Sequence, residues 1–482
     1  MTRPYPSLAL IGERARPPRA ACVLPVQAGA VPPAYAEAAR AARFTGQLGE
    51  ALALHGRPEG RLLLLLGLGD GTQPEAAGAE AAAALYAERY VVIDGRGLPR
   101  GLGVGLALGA ALRAWSFPQF RQGRRPAAPD ASEIAHIDLL VEDPSRQGRR
   151  WRAALASLEA VCLARGFIAE PSNVLTPRSF AQDLQALEGA GIEVEVFTAK
   201  ALEARGLRLL AAVGRGSANP PYLVVLHWRG KLDAPPVAFV GKGITFDTGG
   251  ICIKGADRMW EMRGDMAGAA ACAGAMLALA RRRSPAPAVA VLALAENMMG
   301  ADAYRPGDII ESHAGLTVEI IDTDAEGRLA LADVLSYTID RFKPRAVIDL
   351  ATLTYAVGAA LGHEMAGLYG NCDLLAAHLA AAGQTVGEAV WRMPLTERDR
   401  EALTSDIADI RHCLTGRLVP DATLAAAFLQ RFVGDTPWAH LDIGAVDAKE
   451  QAEGRYPAGP TAFGVRLLDQ LVATRYENPD HP

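Results

Sequence analysis

The sequence has few cysteines, and none of them are paired at a spacing that is typical of metal or redox sites. Its six cysteines are scattered over 482 residues without a CxxC pair. This pattern argues against a thiolate zinc site and against a disulfide framework. It favours free thiols in a reducing compartment, so we expect a cytoplasmic protein.

Long apolar segments and a strong net charge are also lacking. The longest apolar run, 266–280, is rich in alanine and glycine and is shorter than the ~20 residues that cross a bilayer. The N-terminus has no apolar segment of the signal-peptide kind. A net charge of −5 lacks the excess of positive charge that is typical of nucleic-acid-binding proteins. With half of its residues hydrophobic, the chain is expected to be globular, with no membrane partner.

Three common functional motifs are missing. The glycine-rich segments 67–71 and 101–109 fit neither GxGxxG nor GxxxxGK[ST], which argues against nucleotide binding there. No HExxH occurs, which excludes a zinc-protease site carried on one helix.

The length and the pattern of apolar runs predict an α/β protein of two domains. We expect a smaller N-terminal α/β domain at 1–146, a linker helix and turn at 147–178, and a larger catalytic domain at 179–482. In the last part, short apolar runs at 221–225, 237–240, 288–294, 318–321 and 346–350 are mostly separated by helical stretches. Such runs are typical of a mostly parallel central sheet covered by helices.

Charged residues follow two of these apolar runs. Lys242 and Asp322 each come just after a predicted strand, where sites form in open α/β sheets. If the segment is extended, the side chains of Asp324 and Glu326 would face the same side, because they are two residues apart. We therefore expect four carboxylates to converge, those of Asp247, Asp265, Asp324 and Glu326.

Such a cluster would repel itself strongly without cations. Two divalent cations would neutralise it and form a hydrolytic site. Oxygen ligands with one lysine amine, Lys242, suit Zn or Mn, and Mg or Co are also compatible. Lys254 is the candidate for polarising a substrate carbonyl, and Arg328 for holding an anion or orienting water.

The motifs resemble the M17 leucyl aminopeptidase family. Residues 322–329, DTDAEGRL, match the family signature NTDAEGRL except at Asp322, and GKGITFD…GGI.IK matches at 241–254. Further similarity occurs at 170–177, 261–266, 296–298, 304–308 and 438–443. The resemblance covers roughly 170–445, whereas the N-terminal third matches only in size and general pattern.

The resemblance implies a metal-dependent aminopeptidase that removes leucine-like N-terminal residues from peptides. Asp247 and Glu326 would bridge two metals, Lys242 and Asp265 would complete the tighter site, and Asp324 would complete the more exchangeable one. It also implies that Lys254 polarises the scissile carbonyl. Arg328 would hold a bicarbonate that acts as general base on the water between the metals.

The resemblance further implies a homohexamer and a substrate pocket lined by Met262, Thr352, Leu353 and Tyr355. Tyr355 stands where the family has glycine, so it would narrow the pocket or add a hydroxyl. Val419, Pro420 and Asp421 replace the family's glycine-rich segment before the next helix. Asp322 adds a negative charge beside the metal ligands.

Three alternatives stay open. The changes at Tyr355 and 419–421 also fit a narrow-specificity dipeptidase with the same chemistry. An arginine cluster between 121 and 152 leaves room for an additional DNA-binding or regulatory role, which the acidic net charge disfavours. The third alternative is a catalytically inactive relative kept as a structural hexamer, which the intact set of site residues disfavours.

Overall fold

The computed structural model describes residues 5–12, 20–55, 62–99, 101–120, 132–416 and 419–478. The chain forms two compact units, one of Met1–Cys162 with Lys449–Thr461 and one of Leu163–Ala448 with Ala462–Pro482. These units differ from the domains predicted from the sequence, whose boundaries stay predictions. Of the arginine cluster, Arg121, Arg124 and Arg125 lie outside the described residues.

The first unit contains a six-stranded, mostly parallel sheet. The strand order is β1-β6-β5-β2-β4-β3, and β3 pairs with β4 in the antiparallel direction. Its strands are β1 (Ser7–Ile11), β2 (Ala21–Val26), β3 (Ala51–Leu54), β4 (Leu63–Gly67), β5 (Tyr90–Asp94) and β6 (His136–Leu140).

The remaining strands form one large sheet and two small ones. They are β7 (Glu193–Thr198), β8 (Tyr222–Trp228), β9 (Val237–Asp247), β10 (Ala288–Asn297), β11 (Ile309–Glu311), β12 (Thr317–Glu319), β13 (Ala346–Ala351), β14 (Ala366–Gly370), β15 (Val390–Arg392), β16 (Ile410–Arg411), β17 (Trp438–Asp442), β18 (Ala448–Lys449) and β19 (Gly459–Pro460). The large sheet has eight strands in the order β15-β14-β17-β13-β9-β10-β8-β7. Its four central strands, β17, β13, β9 and β10, are parallel, which confirms the predicted fold class.

Fourteen α-helices occur in the part of the chain that the structure describes. They are α1 (Ala36–Ala41), α2 (Pro74–Ala84), α3 (Leu102–Arg113), α4 (Gly148–Ala169), α5 (Pro177–Gln185), α6 (Ala199–Ala204), α7 (Arg208–Gly214), α8 (Ala267–Arg282), α9 (Glu326–Phe342), α10 (Tyr355–Leu361), α11 (Asp373–Val386), α12 (Glu397–Glu401), α13 (Asp421–Gln430) and α14 (Val465–Arg475). None of them is both long and apolar enough to cross a membrane.

Strands β9 and β10 lie at the centre of the large sheet. All residues of β10 and nearly all of β9 are buried, which explains their continuous apolar sequences. Helix α8 packs close to β9 because both backbones lack bulk at the crossing. A Cβ on Gly241 of β9 would lie 2.6 Å from the Ala269 Cα of α8, so this position requires glycine.

Two details of the predicted strands are wrong. Strand β9 continues to Asp247, paired with β10 as far as Asn297, so Lys242 lies inside the strand and not after it. The run at 318–321 forms β12, which belongs to a separate three-stranded sheet with β11 and β16. Only Thr317–Glu319 is extended there.

Candidate active site

Three buried carboxylates lie together at one end of the central strands. Oxygen atoms of Asp247, Asp265 and Glu326 all lie within 4.8 Å of one another. Asp247 ends β9, Asp265 follows a 3-10 helix at Met259–Gly264, and Glu326 is the first residue of α9. Three separate elements therefore bring their charges to one point.

Asp324 joins this cluster from the side. Its carboxylate Oδ1 lies 2.5 Å from the Lys254 Nζ, which also lies 2.8 Å from Asp247 Oδ2. Asp324 is in a turn and Glu326 is in a helix, so the predicted extended segment is wrong. The turn forms because Asp322 Oδ1 accepts a hydrogen bond from the Asp324 amide.

Lys242 extends from β9 into the centre of the cluster. Its Nζ lies 2.7 Å from Asp265 Oδ1 and 2.9 Å from Glu326 Oε1, and it donates to the Thr352 carbonyl oxygen at 2.8 Å. A Cβ on Gly327 would lie 2.5 Å from Lys242 Cε, so glycine is needed beside the lysine. The lysine thus neutralises two acids that belong to distant parts of the sequence.

Burial controls the electrostatics of these groups. Burial raises the pKa of Asp265 well above its usual range, more than the Lys242 ammonium lowers it. Burial and then repulsion by Asp247 raise the pKa of Glu326, and the same causes raise the pKa of Asp324 to about 7. Each of these shifts disfavours the negatively charged form of the acid, which a nearby cation would favour.

The two lysines respond in the opposite way to the same acids. Burial alone lowers the pKa of Lys242, but attraction to Asp265, Glu326 and Asp247 outweighs it and the pKa is raised. Burial likewise lowers the pKa of Lys254, and attraction to the acids, mainly Asp247, outweighs it and raises the pKa. Both lysines are therefore ammonium ions in this structure.

The donor set fits divalent cations. Asp265 Oδ2 is buried and has no hydrogen-bond partner among the described residues, so one ligand atom is directly available. Carboxylate oxygens together with one amine suit Zn or Mn. Among the described residues, this is the only group of three or more acidic, histidine or cysteine side chains whose ligand atoms lie close enough together to hold a metal ion. The structure thus brings together the residues that the sequence indicated as ligands, whose roles stay predictions.

The turn after β9 depends on two glycines and a buried amide. Gly249 and Gly250 have φ of +86° and +65°, a region that side chains disfavour. Asn297, at the end of β10, donates to Asp247 Oδ1 at 2.7 Å and holds that carboxylate in place. Sequence reasoning gave Asn297 no role, although an amide side chain at the end of an apolar strand was a usable signal.

Residues of the predicted pocket lie at different depths. Thr352 donates to Asp265 Oδ1 at 2.7 Å, so it supports the cluster itself. Tyr355 is 74% exposed, its hydroxyl lies 3.9 Å from Met262 Sδ, and its ring centre is 5.8 Å from Lys254 Nζ. Leu353 packs against the hydrophobic core. Their roles toward a substrate stay predictions.

Arg328 is bound by other groups of the chain itself. It is 2% exposed, and its Nη2 donates to Asp421 Oδ1 at 2.7 Å. Its Nη1 donates to the His412 carbonyl oxygen at 3.3 Å. His412 in turn bonds the Asp322 carbonyl oxygen, and burial lowers the pKa of its imidazole to about 4. Sequence reasoning noted Asp421 as a departure from the family without foreseeing its partner.

The chain is similar to known proteins along most of its length. The model of the cytosol aminopeptidase family, catalytic domain, matches residues 162–469. A probable cytosol aminopeptidase of Rhizobium meliloti (strain 1021) is 42% identical over 456 residues, covering 92% of this chain and 91% of the relative. One of Gluconobacter oxydans (strain 621H) is 45% identical over 366 residues, covering 76% and 74%.

Two solved structures also resemble this chain along nearly its whole length. The bottromycin maturation enzyme BotP is 35% identical, with a TM-score of 0.84 and coverage of 95% of this chain and 99% of that one. The same enzyme in complex with Mn is 34% identical, with a TM-score of 0.83 and coverage of 94% and 98%. The similarity therefore includes the first unit, which the sequence motifs did not cover.

Proposed function

The chain belongs to the cytosol aminopeptidase family and is a leucyl aminopeptidase-type hydrolase, and we propose that it removes leucine-like N-terminal residues from peptides with the help of two divalent cations. The observation that carries this proposal is the convergence of Asp247, Asp265 and Glu326 around one point, with one oxygen of Asp265 unpartnered. That number of buried acids is stable only with cationic partners.

The proposed ligand roles follow from the positions of the side chains. Asp247 and Glu326 would each serve both cations, Lys242 and Asp265 would complete one site, and Asp324 would complete the other. When bound, the two cations would polarise a water molecule and the scissile carbonyl, which is the chemistry of two-metal hydrolysis. Asp324 is the least buried of these acids, in keeping with a more exchangeable site. Zn and Mn are proposed, and the structure of BotP in complex with Mn supports Mn.

Lys254 is proposed to orient and polarise the substrate carbonyl. In the structure its ammonium is held by Asp247 and Asp324. Once these acids bind cations, the ammonium would be free to turn toward the substrate. It is only partly buried and lies beside the Tyr355 ring. A fixed positive charge there would stabilise the developing oxyanion.

Bicarbonate is the anion that the resemblance implies for Arg328. The chain's own residues fit it poorly, because the Arg328 guanidinium already binds Asp421 and the His412 carbonyl oxygen. We therefore propose no step through bicarbonate. An anion at Arg328 is still part of the proposed site, and the chain supplies a carboxylate at that place.

A homohexameric assembly and a cytoplasmic location are also proposed. The first rests on the family resemblance and the second on the names of the relatives. Of the arginines that left room for a DNA-binding role, Arg146 pairs with Asp143 at 3.0 Å.

A narrower dipeptidase activity is the second candidate. One observation favours it, since the exposed Tyr355 side chain lies near both Met262 and Lys254 and would shorten the space for a substrate. A panel of aminoacyl amides, dipeptides and longer peptides separates the two candidates. Cleavage confined to dipeptides would support the narrower one.

The proposed function is tested by removing and restoring cations. Chelated protein should hydrolyse leucine amide far more slowly than protein reloaded with Mn or Zn, and metal analysis should find two cations per chain. An N-acetylated peptide serves as the control substrate, because a blocked amine should prevent cleavage. Full activity after complete chelation would refute the proposal.

A further inference from the structure

The position where an anion would bind Arg328 is filled by a side chain of the same protein. Asp421 Oδ1 lies 2.7 Å from Arg328 Nη2, within the range of a charge-assisted hydrogen bond. Arg328 is buried at the start of α9, and the Asp421 side chain at the start of α13 is 40% exposed. The buried positive charge thus has a negative partner that the chain itself provides.

A second anion would not be accommodated well on this guanidinium. Nη1 donates to the His412 carbonyl oxygen, and Nε is buried without a hydrogen-bond partner among the described residues. Bicarbonate beside Asp421 would place two like charges on a single arginine, which disfavours ionisation of both. A carboxylate and bicarbonate both carry negatively charged oxygens on a planar carbon, so the Asp421 carboxylate can occupy the position of the anion.

The sequence around Asp421 agrees with such a substitution. Val419, Pro420 and Asp421 stand where the family resemblance leads us to expect a glycine-rich segment. Glycine would leave the guanidinium open to an external anion, whereas aspartate fills that space. The carboxylate of Asp421 also interacts favourably with the dipole of α13, because it lies in the first turn of that helix. This interaction does not by itself explain why the carboxylate pairs with a buried arginine.

We propose that Asp421 replaces bicarbonate as the anion on Arg328, so that this enzyme binds no bicarbonate and needs none for peptide hydrolysis. The inference rests on the proposed function, because it concerns the same site. Asp421 is a positioning residue that acts through Arg328. It keeps the guanidinium oriented and supplies a carboxylate beside it.

The decisive experiment compares the cation-loaded enzyme with its Asp421→Gly and Asp421→Asn variants in bicarbonate-free buffer. The wild-type kcat/KM for leucine amide should not change when bicarbonate is added. Asp421→Gly should lose about tenfold or more, the equivalent of ~1.4 kcal/mol, and regain activity with bicarbonate or formate. Asp421→Asn should lose activity without rescue, because the amide still fills the position but carries no charge.

Binding of ¹³C-labelled bicarbonate, followed by NMR, provides a readout that does not depend on turnover. Asp421→Gly should bind the label, and the wild type should not. Asp373→Asn is the matched control, since Asp373 is also a first-turn acid, in α11, and pairs with the half-exposed Arg392 at 3.2 Å. This control should behave as the wild type in both assays.

Three results would overturn the inference: bicarbonate binding by the wild type, stimulation of the wild type by bicarbonate, or an Asp421→Gly variant with unchanged activity. Melting temperatures of both variants show whether a loss is due to unfolding. A wild type that hydrolyses no peptide with any cation would instead refute the proposed function, and the bicarbonate-binding measurement would still decide the inference.

Discussion

Lys242 Nζ lies 2.7 Å from Asp265 Oδ1, and both side chains are buried. The same ammonium lies 2.9 Å from Glu326 Oε1. Without metal cations, the ammonium group of Lys242 therefore provides the positive charge that stabilises these two carboxylates. If Lys242 is to become a ligand through its amine, that proton must leave when a cation binds.

Cation binding should consequently release protons and become tighter as the pH rises. Burial lowers the pKa of Lys242, but Asp265, Glu326 and Asp247 together raise it above its ordinary value. At neutral pH the cation-free site thus retains the proton, and lowering the pH favours the cation-free form. Calorimetric titration with Zn or Mn in buffers of different ionisation enthalpy measures the proton count. The Lys242→Met variant should release fewer protons, and a wild type that releases none would contradict the ligand role of Lys242.

Replacing Glu326 should remove cations and activity together. Its carboxylate is fully buried between Lys242 and the other acids, and it is proposed to serve both cations. We expect Glu326→Gln to lose bound metal and to hydrolyse leucine amide at a rate lower by orders of magnitude. The matched control is Asp333→Asn, which changes another buried acid of α9 whose partners are backbone amides. A Glu326→Gln enzyme with two cations and the wild-type rate would contradict the assignment.

Lys254 should matter for turnover and not for metal content. Its ammonium competes with cations for Asp247 and Asp324, so its removal leaves those acids available. Lys254→Ala should keep both cations and lower kcat by about 10²–10³, as for loss of one oxyanion-stabilising group. Lys343→Ala, which removes a lysine that is 73% exposed, serves as the control. Equal kcat in Lys254→Ala and the wild type would remove the role of Lys254.

Tyr355 should set which peptides are cleaved. Its exposed ring lies near Lys254, and its hydroxyl lies near Met262. Tyr355→Gly should open the pocket and raise kcat/KM for longer peptides relative to dipeptides. Tyr355→Phe keeps the ring and removes the hydroxyl, so it shows which of these two groups determines the preference for peptide length. An unchanged ratio of rates in Tyr355→Gly would show that the ring does not limit the substrate.

Several parts of the fold and the site could be predicted from the sequence because they are encoded locally. The continuous apolar runs of β10 and β13 indicated buried parallel strands, and the charged motifs indicated convergent acids. The length of β9 and the helical start at Glu326 were not foreseen. Both depend on pairing and packing with distant segments, which local patterns do not reveal.

The partners of individual side chains were the least predictable feature. Thr352 was expected in the substrate pocket, and the structure shows it donating to Asp265. Asn297 holds Asp247 across two adjacent strands, and Asp421 pairs with Arg328 over a separation of 93 residues. Such contacts follow from sheet register and helix placement.

By itself, the sequence determined the α/β class and the chemical character of the site, because apolar periodicity and the clustering of acids and lysines are written into short segments. Only the tertiary structure decided that Lys242 lies between two acids and that Asp421 neutralises Arg328. The register of β9 in the sheet and the positions of α9 and α13 set those distances, since side chains remote in sequence meet only after the chain has packed.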